Sequence, residues 1–289
     1  MKYKATAIVS CFTAFFGMIL GLNGCDVIDP ADRLQNTTIV DSGSMRKVLL
    51  EDYTGFLCVN CPQAAEAASN ILDIYKDKVI VISVHAGNQF AKPYGSKYTY
   101  DFRTPVGEAL FPLFIGDAGQ PNGTINRKKF DGSYAVYHTD WAAKVATELA
   151  VGKAGMTIQL KPEYDSTTKI LTVATNVKYQ NTGTADHKLA VYLIEDSIVF
   201  YQKDIRFTPN DRPDYLHRHV LRGAVGNYGE FGKQISAVAI SAGSSFDDSF
   251  SVSFAGKDWK PSRCSVVAFV NDSQTYEVLQ TEDAKVTIK

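Results

Sequence analysis

Two cysteines separated by two residues stand between an apolar segment and an alanine-rich segment, and this junction constrains the possible folds most strongly. The stretch 51–68 reads EDYTGFLCVNCPQAAEAA and contains Cys58 and Cys61. Residues 48–50, VLL, have the continuous apolar pattern of a buried strand. After the cysteines, apolar residues recur at the spacing of an amphipathic helix. These residues are Ala64, Ala68, Ile71, Leu72 and Tyr75. The pattern predicts a strand, then the cysteine pair, then a helix.

A second strand and further elements extend this unit. Residues 79–84, VIVISV, form an unbroken β-branched run, which is typical of a parallel strand covered on both faces. The crossover between the two strands should be right-handed. Beyond an aromatic-rich insertion, Thr104 and Pro105 predict the cap and first position of a short helix. Residues 124–130 then predict a strand, and residues 138–150 predict an amphipathic helix.

The pattern changes after residue 150. Short apolar stretches recur between turn clusters such as YDSTT, and no convincing helical pattern interrupts them. Regularly spaced short strands indicate an antiparallel sandwich of the immunoglobulin-like type. Because single cores usually contain about 100–200 residues, we predict two domains. They are an α/β domain at 47–150 and an all-β immunoglobulin-like sandwich domain at 151–289.

The first residues predict export from the cytoplasm. Two lysines precede the apolar run 7–22, and small residues then lead to Cys25. The sequence Leu-Asn-Gly-Cys resembles the bacterial lipobox, which implies cleavage before Cys25 and acylation of that cysteine, for example with palmitate. This interpretation makes 1–24 a lipoprotein signal peptide and 25–46 a polar tether. An uncleaved membrane helix and a soluble secreted protein remain alternatives.

Export determines the redox environment, since disulfides persist outside the cytoplasm. Cys11 lies within the predicted signal and Cys25 would carry lipid. The cysteines that remain are Cys58, Cys61 and Cys264. Cys58 and Cys61 can bridge each other. We interpret Cys264, next to the apolar run VVAFV, as a buried small hydrophobic residue.

A cysteine pair at the start of a helix is suited to thiol-disulfide exchange. Unpaired N–H groups at a helix N-terminus stabilise a thiolate, and we expect Cys58 to lie where this field is strongest. Cys61 can then attack a mixed disulfide formed at Cys58 and release the partner protein. Two alternatives are a disulfide that only cross-links the loop and a metal site. A zinc site needs about four ligands, whereas the chain offers one CxxC pair, Cys264 and five scattered histidines.

Histidines and aromatic residues supply further candidates. His217 and His219 alternate, so a strand would place both on one face, either as metal ligands or as packing groups between the domains. His85 ends the second buried strand, and we interpret it as structural. The aromatic insertion at 90–102 either binds a partner or packs onto its own domain. A net charge of −1 provides no basic field, so we do not expect nucleic-acid binding.

The order of elements in the first half resembles thioredoxin. The order is an apolar strand, an acidic residue, CxxC opening a helix, a second buried strand, and an X-Pro before another strand. The resemblance implies that Asp52 is a buried proton acceptor for Cys61. It also implies that Pro121 is a cis proline that presents backbone to a substrate peptide. Three residues depart from the thioredoxin pattern, namely Leu57, Gln120 and Asn122.

Nearly the whole chain resembles the Bacteroidetes 28-kDa outer-membrane lipoprotein family. The lipobox is followed in order by LEDYTG with CxNCP, then PNGTINR, HRHVLRG and EVLQTEDAKV. The resemblance implies a thioredoxin-like domain followed by a β-sandwich, and a location in the outer membrane. The suggested roles of this family are those of an adhesin or a surface antigen, and the family has no settled activity.

Two functions are consistent with these observations. The first is a membrane-tethered thiol-disulfide oxidoreductase acting on exported proteins, in which Cys58 attacks, Cys61 resolves, Asp52 transfers a proton and Pro121 positions the peptide. It needs no bound cofactor or metal, and its electrons come from or go to another protein. The second is a non-enzymatic surface adhesin, receptor or antigen with a structural disulfide. In both, the acylated N-terminus binds outer-membrane lipid, and the partners are proteins or peptides.

Overall fold

The computed structural model describes residues 45–289. The predicted signal peptide 1–24, the lipid attachment at Cys25 and nearly all of the tether 25–46 lie outside these residues. No helix within the described residues combines the length and apolar character that are required to cross a bilayer.

Strands and helices alternate in the first half of the described chain. The elements are β1 (Val48–Thr54), α1 (Cys61–Tyr75), β2 (Val79–His85), α2 (Pro105–Phe114), β3 (Asn122–Ile125), β4 (Val136–Tyr137) and α3 (Trp141–Leu149). Helix α2 begins as the sequence predicts, because Thr104 Oγ1 accepts a hydrogen bond from the Gly107 N–H at 3.0 Å and Pro105 occupies the first turn.

Strands dominate the second half. They are β5 (Met156–Asp165), β6 (Ile170–Tyr179), β7 (His187–Glu195), β8 (Ile198–Lys203), β9 (Asp211–His217), β10 (Val220–Ala224), β11 (Lys233–Gln234), β12 (Ser245–Ser253), β13 (Cys264–Asp272), β14 (Val278–Lys285) and β15 (Thr287–Ile288). Between residues 151 and 289, all of which are described, the helical segments are limited to the short 3₁₀ turn Pro261–Arg263. The described part of the chain is therefore mostly β.

The largest sheet is mixed and contains strands from both halves. Its order is β14-β13-β7-β10-β2-β1-β3-β4, with β11 paired to β7. Strand β1 is parallel to β2 and antiparallel to β3. The halves meet where Val220 of β10 pairs with Ser83 of β2, and the Ser83 N–H donates to the His219 carbonyl at 2.8 Å. The division at residue 150 stays a prediction, and the hydrogen-bonded sheet crosses it.

Three apolar clusters form the layers. Alternate residues of β1 point to opposite faces, so Val48 and Leu50 join a cluster with α1 and α3, while Leu49 and Tyr53 join one with α2. A further cluster lies between the four-stranded sheet β12-β6-β5-β15 and the β7–β13 part of the large sheet. Each face of the large sheet is thereby covered, which explains the continuous apolar runs in β1, β2, β7 and β13.

A fully buried ion pair joins β1 to the turn that follows β3. The Glu51 carboxylate accepts from Arg127 Nη2 at 2.6 Å and from Arg127 Nε at 2.9 Å, and Thr124 Oγ1 donates to it at 2.8 Å. The guanidinium also lies over the rings of Phe114 and Phe269. This one pair therefore connects the sheet, α2 and a strand of the second half.

The strand expected over 124–130 is shorter than predicted. Strand β3 ends at Ile125, because Asn126 and Arg127 adopt left-handed backbone angles with φ of 50° and 48°. Asn126 is held there by its Oδ1, which accepts from the Leu49 N–H at 2.9 Å. The resulting turn directs Arg127 into the interior, toward Glu51.

Replacing Glu51 with glutamine should strongly destabilise the fold. The substitution keeps the shape of the side chain but leaves the buried Arg127 guanidinium without its counter-charge, which typically costs about 3–5 kcal/mol. Urea unfolding at constant pH measures the change. Glu163→Gln is the matched control, because Glu163 makes its ion pairs at the surface. Equal unfolding midpoints for the two variants would contradict the importance of the buried pair.

Candidate functional site

Cys58 and Cys61 form a disulfide in the loop that leads from β1 into α1. Two consecutive turns build this loop: the Cys58 N–H donates to the Gly55 carbonyl at 3.0 Å, and the Cys61 N–H donates to the Cys58 carbonyl at 3.4 Å. We refer to residues 55–61 as the dithiol loop. Because helical backbone begins only after these turns, Cys61 is the first residue of α1. Cys58 lies three residues before this position, in the loop at the N-terminal end of the helix.

Both cysteine side chains are buried. Cys58 is 2% exposed and Cys61 is 1% exposed. The cover comes from the second half of the chain, where Gln202 of β8 reaches the loop. Its Nε2 donates to the Cys58 carbonyl at 3.0 Å and to the Gly55 carbonyl at 3.3 Å. The sequence carries no signal for this contact, because the partners are more than 140 residues apart.

Asp52 lies on β1 within the protein interior, as the thioredoxin resemblance implies. It is buried, and its Oδ1 has no hydrogen-bond partner among the described residues. Burial raises the pKa of the carboxyl from 3.8 to about 7, because desolvation penalises the charged form. A group with this pKa can accept or donate a proton near neutral pH.

A cavity of about 620 Å³ brings several of the candidate residues together. Asp52, Cys61, His85 and His217 line it, and Cys58 does not. The sequence analysis did not place His217 beside Asp52, because these residues lie in different halves. Of the two cysteines, Cys61 therefore borders the cavity that also contains Asp52, the carboxyl expected to exchange its proton.

Two neutral imidazoles complete the inner wall of the cavity. The rings of His85 and His217 are 5.5 Å apart, and burial is the main cause that lowers the pKa of both. The pKa of His217 falls to about 4. Like Asp52 Oδ1, the His85 Nδ1 and His217 Nε2 atoms have no hydrogen-bond partner among the described residues. The inner wall is thus polar and mostly uncharged between about pH 4 and pH 7.

His217 and His219 do not share one face of a strand. Strand β9 ends at His217, and His219 has a left-handed φ of 53°. This turn directs His219 toward Asp196, with Nδ1 3.2 Å from the carboxylate, while His217 faces the buried rings of His85 and Phe102. Within residues 45–289, no group of three or more His, Cys, Asp or Glu side chains has a geometry suited to a metal ion.

Pro121 precedes β3, and the Gln120–Pro121 peptide bond is cis. The pairing of Asn122 with Tyr53 places this proline next to the end of β1. Gln120, which departs from the thioredoxin pattern, has a structural role. Its Nε2 donates to the carbonyls of Thr54 at 2.8 Å and Ala86 at 3.0 Å, so it holds the ends of β1 and β2 together.

Much of the aromatic insertion packs against other parts of the protein. Tyr98 and Phe102 are buried in one cluster with Phe56, and Phe200 of β8 packs against it. Tyr94 remains exposed. The buried rings of the insertion therefore pack within the protein rather than bind a partner, and this packing includes Phe200 of the second half.

Cys264 is buried and does not take part in a disulfide.

Comparisons place the chain among known proteins. A sequence model of the family described as outer membrane protein Omp28 matches residues 109–289, so the match begins after the dithiol loop. No curated protein matches the chain significantly. HBP35 of Porphyromonas gingivalis has a similar solved structure, with a TM-score of 0.65 and 18% identity over 84% of this chain and 76% of that chain. This similarity shows the fold alone.

A second solved structure is a domain of the outer membrane lipoprotein Omp28 from Porphyromonas gingivalis. It is 24% identical and covers 47% of this chain and 91% of that chain, with a TM-score of 0.31.

The raised pKa of Asp52 predicts that the contribution of this carboxyl to folding stability falls between about pH 4 and pH 7. The folded state binds the proton more tightly than the unfolded state, so this contribution is complete below about pH 4 and is lost as the pH rises through about 7. The loss is roughly 4 kcal/mol. Asp52→Asn cannot titrate and should gain stability relative to the parent over this range. Urea unfolding at several pH values measures both curves, and parallel curves would contradict the shift.

Proposed function

Because the chain belongs to the Omp28 family of outer membrane proteins, we propose that it is a lipid-anchored outer-membrane protein that performs thiol-disulfide exchange on exported proteins. The anchor is the acylated Cys25, and the exchanging groups are Cys58 and Cys61. The observation that carries the proposal is the position of the disulfide. It closes a loop at the start of α1, and Cys61 shares a cavity with a buried carboxyl whose pKa is about 7.

The first half of the chain, residues 47–150, is proposed to be a thioredoxin-like domain. The order β1-α1-β2-α2-β3-β4-α3 and the sheet order β2-β1-β3-β4 support this assignment. The cis bond at Pro121, next to the end of β1, also supports it. The second half, residues 151–289, is proposed to be an immunoglobulin-like sandwich, on the evidence of two facing sheets around one apolar core.

In the proposed reaction, the reduced protein acts on a substrate disulfide. The Cys58 thiolate attacks one substrate sulfur, which forms a mixed disulfide and releases the other substrate sulfur as a thiolate. Cys61 then loses its proton to Asp52 and attacks the Cys58 sulfur. The mixed disulfide breaks, the Cys58–Cys61 disulfide forms, and the second substrate sulfur leaves as a thiolate. A separate dithiol protein must supply the two electrons that reduce the pair again.

Asp52 is suited to accept the Cys61 proton because its protonated and ionised forms are both present near neutral pH. A carboxylate at its ordinary pKa is a weak acceptor for a thiol proton, whereas burial brings this carboxyl to a pKa of about 7. The cavity beside Cys61 supplies the route by which the proton reaches solvent. Pro121 is proposed to present backbone to the substrate peptide.

One observation favours the second function, a non-enzymatic surface adhesin or antigen with a structural disulfide. Both cysteine side chains are almost completely buried, so a protein substrate cannot reach either sulfur in this conformation. A structural disulfide of this kind typically has a reduction potential below about −300 mV. A potential well above that value supports exchange, and equilibration with glutathione or dithiothreitol buffers measures it.

We expect the soluble fragment 45–289 to reduce insulin in the presence of dithiothreitol, and Cys58→Ser to reduce it only at the uncatalysed rate. The serine variant removes the nucleophile and keeps the size of the side chain. The readout is the turbidity of precipitating insulin B chain. Equal rates for the two proteins would reject the exchange function.

Cys61→Ser should accumulate mixed disulfides at Cys58, because the resolving thiol is absent. Non-reducing electrophoresis of exported proteins incubated with the reduced variant detects these adducts. Cys264→Ser is the matched control, because Cys264 is buried away from the dithiol loop. Absence of adducts in Cys61→Ser, together with a very low reduction potential, would favour the structural disulfide.

A further inference from the structure

The segment that covers the dithiol is an excursion from the second half of the chain. Residues 196–219, here called the arm, lie between β7 and β10 and contain β8 and β9. These two strands form a separate two-stranded sheet. Strands β7 and β10 pair directly with each other in the large sheet, so the sheet continues without the arm. The arm is therefore an addition to the fold, and its contacts need a separate explanation.

Backbone hydrogen bonds attach the arm to the dithiol loop. The Lys203 N–H donates to the Phe56 carbonyl at 2.8 Å, and the Ile205 N–H donates to the Val59 carbonyl at 2.9 Å. The N–H groups of Lys203, the last residue of β8, and of Ile205, in the turn that follows, thus bond carbonyls on both sides of Cys58. These main-chain hydrogen bonds do not depend on side-chain identity.

Gln202 adds the side-chain contact that lies closest to the cysteines. Its Nε2 donates to the Cys58 and Gly55 carbonyls, as described above, and to the Lys203 carbonyl at 2.9 Å. Its side chain is buried. One amide group thus serves three acceptors, and a group that cannot donate would leave three carbonyl oxygens facing one another.

The tip of the arm is held by polar contacts at the surface. Arg206 Nη1 donates to Glu66 Oε2 of α1 at 2.7 Å, and its other nitrogens bond the Asp204 carboxylate. Ile205 is 57% exposed and Phe207 is 44% exposed. The Arg206–Glu66 contact contributes little stability, because both side chains are partly exposed and solvent competes for them, whereas the contact with the buried Asp204 lies within the tip itself. The apolar contact between the arm and the dithiol loop lies closer to the base, where Phe200 packs against Phe56.

The two ends of the arm are defined turns. Ser197 and His219 have left-handed φ values of 61° and 53°, and the flanking Asp196 pairs with His219 across the base. Phe200 packs in the aromatic cluster near the base. The arm therefore has a fixed base and a weakly held tip, with the contacts to the cysteines in between.

We infer that the arm is a displaceable cover of the dithiol, and that an extended polypeptide of the substrate takes its place by bonding the Phe56 and Val59 carbonyls. This inference rests on the proposed function and adds its regulation and the form of its partner. While the arm is closed, Cys58 is shielded from proteins. When the arm opens, the loop offers the same carbonyls to any extended segment, so recognition depends on backbone rather than on sequence.

Gln202→Glu tests the cover. The substitution preserves the shape and replaces the shared donor by an acceptor, so the arm should open. We expect the Cys58–Cys61 disulfide to be reduced at least tenfold faster by a ten-residue peptide that contains one cysteine, and about threefold faster by dithiothreitol. The rate of reduction should increase more with the peptide than with dithiothreitol, because the peptide must occupy the place of the arm. Gln234→Glu is the matched control, since Gln234 also donates to a backbone carbonyl, that of Ala185, far from the arm.

Arg206→Ala is a second variant, which breaks the contact between the tip and Glu66 of α1 and also removes the ion-pair partner of Asp204. Arg103→Ala is its control, because Arg103 makes the same kind of contacts with Asp101 and Asn88. We expect Arg206→Ala to increase the rate of peptide reduction about threefold and Arg103→Ala to leave it unchanged. Circular dichroism and thermal unfolding verify that each variant is folded. If Gln202→Glu does not fold, Arg206→Ala decides the outcome.

The outcomes separate the cover from the proposed function. Faster reduction in the arm variants supports the cover whether or not the protein reduces insulin. Parental rates in the folded arm variants overturn the cover, even where insulin is reduced. Acceleration in the arm variants with no insulin reduction leaves a gated disulfide and rejects the exchange function.

Discussion

The arrangement of the site depends on one short strand contact between the two halves of the chain. Val220 pairs with Ser83, and the Ser83 N–H donates to the His219 carbonyl. This contact makes one sheet out of strands that are more than 130 residues apart in sequence. It also sets the point at which the arm leaves the sheet. The arm that precedes β10 contacts the dithiol loop, which follows the carboxyl end of β1.

Two neighbouring buried carboxyl groups of β1, those of Glu51 and Asp52, differ in whether they have a charged partner. Glu51 and Arg127 compensate each other through short hydrogen bonds and therefore can remain charged in the interior. Asp52, the next residue, has no such partner. Neighbouring residues of a strand point to opposite faces, so one carboxylate meets a guanidinium and the other meets the cavity. The ion pair stabilises the sheet, while the unpaired carboxyl has a raised pKa that suits proton transfer.

A buried disulfide and an exchange function are compatible if the cover can move. Neither half of the chain alone explains the burial, since Gln202 comes from one half and the cysteines from the other. The contacts of the arm tip are polar and partly solvent-exposed, in contrast to the aromatic packing at its base. In this arrangement, the second half of the chain would control access to chemistry located in the first half.

The sequence alone determined the local elements and the identity of the chemical groups. Hydrophobic periodicity and capping residues predicted the strands and helices around the cysteine pair, because these features depend on neighbours in the chain. The resemblance to thioredoxin implied the cis proline at Pro121. Tertiary structure decided the rest. The left-handed turn at Asn126 and Arg127, the neutral cavity with His217 and the cover by Gln202 all depend on contacts between distant residues. Such contacts leave no periodic pattern, since each is specified by packing and hydrogen bonding that exist only once both halves share one sheet.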